Sequence, residues 1–389
     1  MSCMTTTATH PQATIPAPAR YGGTVSYLYA FDIAYEISRN LPTTLLGSTV
    51  AQFQIDSNKR APRQLFFYRP RMVRLPPLER FGPNGPVRID RQVKIFPVGA
   101  ISIVFTLPFG VEHISDLAVY HDPSFSTGRS LHDEAIALAE QLHTELLPHL
   151  VRPVSRIADE EAYTVFSITT PLEMDGKHVA AEDWLDAHRR TVAAILTEER
   201  DADHLSDQEA DESTSRYLSY YDHDLVVIDW DAALIVDESR YVDEMIYLME
   251  LANLQLAELE AYDRILDDVV DRAYRDLARR GGSWMSRWTG ARTLRELREI
   301  RVDFSRITDE LSNITKFFGD WHLARIYQAL AARFHLTDWQ RTNDEKLKTL
   351  DELYQLLQSD RNNRYMLVLE ATIVLLFIID LIMLFRSGH

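Results

Sequence analysis

The stretch Val25-Ser26-Tyr27-Leu28-Tyr29-Ala30-Phe31-Asp32-Ile33-Ala34-Tyr35-Glu36-Ile37 carries a large apolar side chain at every second position. Side chains of a strand alternate between two faces, so Val25, Tyr27, Tyr29, Phe31, Ile33, Tyr35 and Ile37 share one face, and the spacing predicts a single long strand. Outward from it, Leu65 to Tyr68, Val93 to Phe96, Ile101 to Leu107 and Tyr163 to Thr169 read as further strands, with Leu225 to Val236 as a hairpin around Asp229 to Asp231. Leu131 to Leu147 and Glu182 to Leu196 step by three and four instead, the helical spacing. This mixture predicts an α+β head over residues 21–237, behind a Thr-, Ala- and Pro-rich tail over 1–20 that reads as disordered.

Between Thr197 and Ser215 the acids Glu198, Glu199, Asp201, Asp203, Asp207, Glu209, Asp211 and Glu212 face a single Arg. The expectation over 197–215 is a solvated surface loop; a calcium loop is disfavoured, because Leu205 and Ser206 stand where an oxygen ligand and the turn glycine are needed. After Asp237 the period becomes helical and stays so. Val242, Met245, Met249, Ala252, Leu256, Leu259, Leu266, Val270, Ala273 and Leu277 make a coiled-coil-like stripe, broken once at Asp263. From Tyr241 to Arg279 such a helix is about 58 Å long, and Gly281 and Gly282 end it. A stripe of that length needs a partner. The segment after Thr293, with Leu294, Leu297, Ile300, Phe304, Ile307 and Leu311, is suited to pack back antiparallel. Two shorter helices are expected after it, from Gly319 to Phe334 and from a cap at Thr337 and Gln340 through Leu357, so that 238–364 forms a helical stalk. The stalk interface is expected at Val242, Met249, Leu256, Leu259, Leu266, Val270 and Leu277.

Tyr365 to Phe385 holds only Glu370, Thr372 and Asp380 as polar residues, and as a helix it would be about 30 Å long, the thickness of a bilayer core. Arg361 and Arg364 before it and Arg386 after it suit the two headgroup layers. The expectation is one transmembrane helix over 365–385, with the body in the cytosol or, in a eukaryote, an organelle matrix. An acid at the centre of such a helix costs about 2.5–3.5 kcal/mol, while each Leu, Ile, Val or Phe returns about 0.3–0.6, which makes insertion of one helix marginal. Association helps, because ten residues at 100° each leave Glu370 and Asp380 about 80° apart, on one interface.

The 389 residues, 46% of them hydrophobic and 25% charged, exclude a wholly disordered or collagen-like chain. A net charge of -17 argues against a body that coats nucleic acid. The single Cys3 excludes an intrachain disulfide and a cysteine-based metal site. No phosphate-binding loop, dinucleotide fingerprint, nucleophile elbow or zinc-binding histidine pair has its required spacing, and His143 and His149 do not share a helix face. The sequence therefore points to no catalytic residue, no metal and no cofactor. Asp222, Asp224, Asp229 and Asp231 are dense enough for a metal or an acid–base pair, though alternate residues of a hairpin commonly face water.

One region is basic. From Lys59 to Lys94 lie Lys59, Arg60, Arg63, Arg69, Arg71, Arg74, Arg80, Arg88, Arg91 and Lys94 against Glu79 and Asp90, with Phe66, Phe67, Tyr68 and Phe81 interleaved. Such a patch serves RNA phosphates and bases, anionic lipid headgroups, or the acidic surface of a neighbouring subunit.

Phe317-Phe318-Gly319-Asp320, Ile326-Tyr327, Thr342-Asn343-Asp344-Glu345-Lys346-Leu347, and Leu369-Glu370 with the apolar run to Asp380 together resemble the family named "required for meiotic nuclear division". Glu370 and Asp380 match its two acids ten apart, with Asp for the usual Glu. The resemblance covers Lys316 to Phe385. It implies a membrane-anchored α+β head on a helical stalk, oligomeric behaviour, no catalytic residues and, for mitochondrial members, support of organelle translation. The combined expectation is a homo-oligomeric, membrane-anchored scaffold or tether; the alternative is an ion-conducting or proton-sensing assembly built on Glu370 and Asp380.

Overall fold

Tyr21–Asp32 form the first strand (β1), which ends before the apolar alternation does. At this point the backbone N–H groups of Ile33 and Ala34 both donate to the Gly99 carbonyl, at 3.0 and 3.1 Å. Ala34–Ile37 (β2) then leaves to pair with Leu150–Pro153 (β8). Gly99 has φ +107, and a Cβ there would lie 1.7 Å from the Ala34 carbonyl oxygen, so this bend requires glycine. The expected single strand is thus two. This computed structural model describes residues 20–53, 70–82, 85–126, 128–155, 157, 160–174, 176–278, 300–301 and 321–387, without the side chains at 276–278, 354, 356–365, 367–368, 380–382 and 384–387. The 1–19 part of the tail, Leu65 to Tyr68 and most of the segment after Thr293 lie outside it.

β1 is central. It pairs antiparallel with Ala100–Val111 (β7) on one side and Glu161–Ile168 (β9) on the other. Beyond β7 come Gly85–Ile95 (β6), Arg71–Gly82 (β5), Ser48–Gln52 (β4) and Thr44–Leu45 (β3); beyond β9 come Ala232–Val236 (β14), Leu225–Ile228 (β13) and Tyr217–Leu218 (β12). Among the described residues this is a ten-stranded sheet, with β9 and β14 as a parallel pair. Parallel neighbours need a long crossover. It contains the small hairpin Glu173–Met174 (β10) and Lys177–His178 (β11), then Ala181–Leu196 (α2) and Asp207–Ser213 (α3).

Both faces of β1 are buried. Tyr27, Tyr29 and Phe31 share one core with Phe105, Phe166, Trp184 of α2 and Leu138 and Leu142 of Leu131–Leu146 (α1). The opposite face carries smaller residues, Ser26, Leu28, Ala30, Ser102, Val165 and Ser167, all buried. Their size lets a helix lie close. Ser239–Ala278 (α4) reaches this side through Asn253, whose Nδ2 donates to the Glu161 carbonyl at 2.8 Å. Phe334, just after Trp321–Arg333 (α5), meets the ring of Tyr163 edge-on at 5.1 Å. Every residue over 245–258 is buried. The α+β architecture of the head follows the sequence expectation.

The acidic segment 197–215 is more ordered than a loop. Ser206 caps α3 by accepting from the Glu209 N–H at 3.0 Å, and Ala210 and Ser213 are buried. Arg190 of α2 donates to the Leu205 carbonyl at 2.7 Å and pairs with Asp207, while Arg189 reaches Thr214 at 2.8 Å. The acids face outward because the apolar turns of a short amphipathic helix face α2.

The chain divides into two compact units, one through Glu258 with the segment up to Thr337, the other from Leu259 and again from Asp338. In the second, the later part of α4 packs on Leu336–Ser387 (α6), with Leu259, Leu266, Val269 and Ala273 buried, as are Leu347, Leu350 and Leu353. Asn343 Nδ2 donates to the Leu259 carbonyl at 2.9 Å, and Lys346 Nζ lies 2.7 Å from Asp263 and 2.5 Å from Asp267. Those contacts advance together along both helices, so this pair runs in the same direction; the antiparallel partner expected after Thr293 lies outside the described residues, apart from 300–301. Asp263, the break in the apolar stripe, is thereby the partner of Lys346. Of the residues expected at a stalk interface, Val242, Met249 and Leu256 are buried within the first unit, and only Leu259 and Leu266 are buried in the second, where Val269 is buried and Val270 half-buried. The Leu277 side chain lies outside the described residues.

α6 is one helix of 52 residues, about 78 Å long. The last stalk helix, expected from a cap at Thr337 through Leu357, starts at Leu336 and continues into the apolar run, because nothing between Leu357 and Tyr365 breaks a helix. The transmembrane helix expected over 365–385 is therefore not a separate element, and among the described residues no helix is long and apolar enough to cross a membrane.

Candidate functional site

Asp224 organises the loop after β12. Its carboxylate accepts from the backbone N–H groups of Tyr220 at 2.6 Å and Tyr221 at 3.0 Å, an arrangement that closes a tight turn around a buried acid. Ser219 Oγ adds a bond to the Tyr221 carbonyl at 2.7 Å. The turn sets the two tyrosine rings nearly perpendicular, 85° apart with centroids at 4.7 Å, and both remain about half exposed. His223 stacks on Tyr221 at 5.5 Å, and His322 of α5 tilts against Tyr220 at 5.3 Å.

This corner is one wall of a cavity of about 240 Å³, whose other side is the start of α4, with Asp237, Glu238, Arg240, Tyr241, Glu244 and Met245. Asp237 is fixed by its own N–H, which donates to the Ile168 carbonyl at 3.2 Å, and its Oδ1 accepts from the Glu238 N–H at 2.6 Å. Burial pushes its carboxyl up to about 6; Asp224 and Glu238 push the same way, and the Glu238 N–H and His223 oppose. Arg240 bonds Glu238 at 2.8 Å and lies over the Tyr241 ring at 4.7 Å. The cavity combines π-faces with carboxylates.

The four aspartates, dense in the sequence, are dispersed in the structure. Asp224 holds the turn, and the backbone carbonyl of Asp222 accepts from the Ala181 N–H at 2.7 Å. Asp229 is buried, accepts from the Trp230 N–H at 2.8 Å and pairs with Arg333. Burial works against the Arg333 charge, but bonds to Asp229 and Glu212, the latter at 3.0 Å, raise its pKa overall. Asp231 lies near His121; burial raises the acid and lowers the imidazole. Among the described residues no group of three or more His, Cys, Asp or Glu could hold a metal ion.

Of the basic patch, Arg60, Arg63 and Arg69 lie outside the described residues. The remainder occupies the hairpin of β5 and β6, of which the sequence predicts only the end from Val93 as a strand. Arg80 and Arg91 both reach Glu134 of α1, at 3.6 and 3.2 Å, and Arg91 also donates to the Pro76 carbonyl at 2.8 Å. Arg88 pairs with Asp90 at 3.3 Å. Lys94 is buried, pairs with Glu250 of α4, and sits 4.5 Å from the Phe53 ring and 5.4 Å from that of Tyr247. These cations neutralise the chain's own acids, whereas Arg71 and Arg74 are exposed.

At the far end of α6, Ile373, Val374, Leu375, Leu376, Phe377, Ile378 and Ile379 are consecutive and between 44% and 75% exposed. Seven successive helical residues point in every direction around the axis. Glu370 is exposed within this stretch. The side chains of Asp380, Arg361, Arg364 and Arg386 lie outside the described residues.

The sequence reading missed Tyr220, Tyr221, Asp237 and Tyr241. The density of rings and acids in Tyr220-Tyr221-Asp222-His223-Asp224 was the available signal, and the strand-to-helix junction at Asp237 supplied the facing wall.

Residues 22–242 match the family model described as "Uncharacterized protein MJ0711, N-terminal domain", a span from β1 into the first turn of α4. The chain is 21% identical over 252 residues to "Uncharacterized protein MJ0711" of Methanocaldococcus jannaschii, covering 64% of this chain and 73% of that protein. No solved structure matches.

Proposed function

We propose, for a chain that belongs to the family of the MJ0711 N-terminal domain, that it is a homo-oligomeric scaffold or tether, acting without catalysis and anchored in a lipid bilayer by the end of α6. The observation that carries this reading is the exposed apolar circumference over 373–379. A coiled-coil partner covers one stripe, and a helix that is apolar all round needs a core or a membrane as its surroundings. Full burial of a Leu, Ile, Val or Phe side chain is worth about 1.5–3 kcal/mol, so half-exposed side chains of this number would gain on the order of 7–10 kcal/mol on entering lipid. Two acids cost about 5–7 kcal/mol there. Association of helices that shelter Glu370 and Asp380 from lipid reduces that cost, which supports an oligomer.

Residues 369–379, all exposed, span only about 16 Å, short of the roughly 30 Å core, so a complete crossing uses their neighbours over 365–385. The head would lie on the cytosolic or matrix side, where Arg71 and Arg74 are free to meet a protein, lipid or RNA partner. Support of organelle translation is one process such a tether would serve, on the resemblance of residues 316–385 to the meiotic nuclear division family alone. Light scattering of the full chain in mild detergent is expected to give a stable multimer that becomes smaller when residues 365–389 are removed. A monomer at micromolar concentration overturns the oligomeric scaffold. Ion flux into liposomes that is lost on Glu370→Gln and Asp380→Asn would replace it with a conducting assembly.

A further inference from the structure

The cavity between the Tyr220–Tyr221 turn and the start of α4 has a use that anchoring does not explain. We propose that it binds a small organic cation of the ammonium class, held against the perpendicular rings of Tyr220 and Tyr221 and neutralised by Asp237.

Three features support this. First, two π-faces at 85° form a corner, and a cation placed in it meets the electron-rich faces of both rings. A flat apolar ligand would favour parallel walls. Second, the lining carries Asp224, Asp237, Glu238 and Glu244 against the single guanidinium of Arg240. Asp224 is spent on the turn and Glu238 on Arg240, but Asp237 uses only Oδ1, and no hydrogen-bond partner for its Oδ2 is found among the described residues. Third, the opposite wall already accepts a cation in the same manner: Arg240 lies over the Tyr241 ring while bonded to a carboxylate. A volume of about 240 Å³ suits a ligand of a few to about a dozen heavy atoms rather than a peptide chain. Ammonium is preferred to guanidinium because the two perpendicular rings enclose a compact, rounded charge, whereas a planar fork stacks on one ring as Arg240 does.

The test is isothermal titration of the full chain in detergent with tetramethylammonium chloride and, separately, spermidine, at pH 7.5 and constant ionic strength. At least one is expected to bind with a dissociation constant below about 1 mM, a value ordinary for a small ligand. Asp237→Asn should weaken it tenfold or more. Tyr220→Ala, an exposed side chain whose loss leaves the core intact, should weaken it about fivefold, and Tyr220→Phe should restore binding because the π-face returns. Absence of heat up to 10 mM of both probes overturns the proposal. So does binding that Asp237→Asn and Tyr220→Ala leave unchanged, or tighter binding of acetate than of either cation, which would make Arg240 and the histidines an anion site.

Discussion

Two stretches of helix in this chain invert each other's solvation. Over 245–258 α4 is buried on every side yet contains Glu250, Asn253, Gln255 and Glu258, whereas over 373–379 α6 is wholly apolar yet exposed. In α4 the fold supplies partners to Glu250, Asn253 and Gln255, namely Lys94, the Glu161 carbonyl and the Tyr327 hydroxyl. Burial without such partners would cost several kcal/mol per group. In α6 the described residues supply nothing comparable. The first helix draws polar partners from its own protein; the second leaves its apolar residues exposed.

One substitution pattern sharpens the contrast most. Leu248→Asn, in a fully buried position, is expected to cost about 3–5 kcal/mol, combining a lost apolar side chain with an unsatisfied amide, while Leu375→Asn should change stability by less than about 0.5 kcal/mol. Urea unfolding followed by tryptophan fluorescence separates them; equal costs would dissolve the distinction. Equal in size is Lys94→Met, which strands the Glu250 carboxylate and should cost about 3–5 kcal/mol, with most of it recovered in the double variant Lys94→Met, Glu250→Met. A double variant no better than the single would mean that the pair is not the partner relation claimed for α4. Smaller again is Ser206→Ala, which removes the cap of α3 and should cost about 1 kcal/mol.

The smallest effect is on pH dependence. With the Asp237 carboxyl raised to about 6 in the folded chain, above an ordinary value of 3.8, the native state binds the extra proton between those values. Its contribution to stability is then greatest at low pH and declines as pH rises from about 4 to about 6. Because the group is partly solvated, the decline should be about 1 kcal/mol rather than the full shift. Asp237→Asn is expected to flatten that part of the stability profile, measured by urea midpoints at pH 4 and pH 7; an unchanged slope contradicts the assignment.

What was readable in the sequence followed from periodicity. Tyr27, Tyr29 and Phe31 declared the sheet, Leu225 to Val236 the hairpin, and Val242 through Leu266 the long helix. The break at Ile33 was not readable, since it depends on Gly99 approaching from 66 residues away. Of the hairpin over Arg71 to Ile95 only the end from Val93 is legible as a strand, because the charges obscure the alternation of Val73, Leu75 and Ile89. The cavity at Asp237 was hidden for the same reason as the dispersal of the four aspartates: local density does not report which residues a turn points inward. The second buried face of β1 was also invisible, because small residues such as Ser26 and Ala30 do not announce the helix they admit.

The central claim is that the end of α6 enters lipid, and vesicle flotation tests it most directly. The full chain, mixed with phosphatidylcholine–phosphatidylglycerol liposomes from detergent and washed with alkaline carbonate, should float with the lipid, while the chain lacking residues 365–389 should remain at the bottom of the gradient. Release of the full chain by carbonate, or flotation of both forms alike, would contradict it.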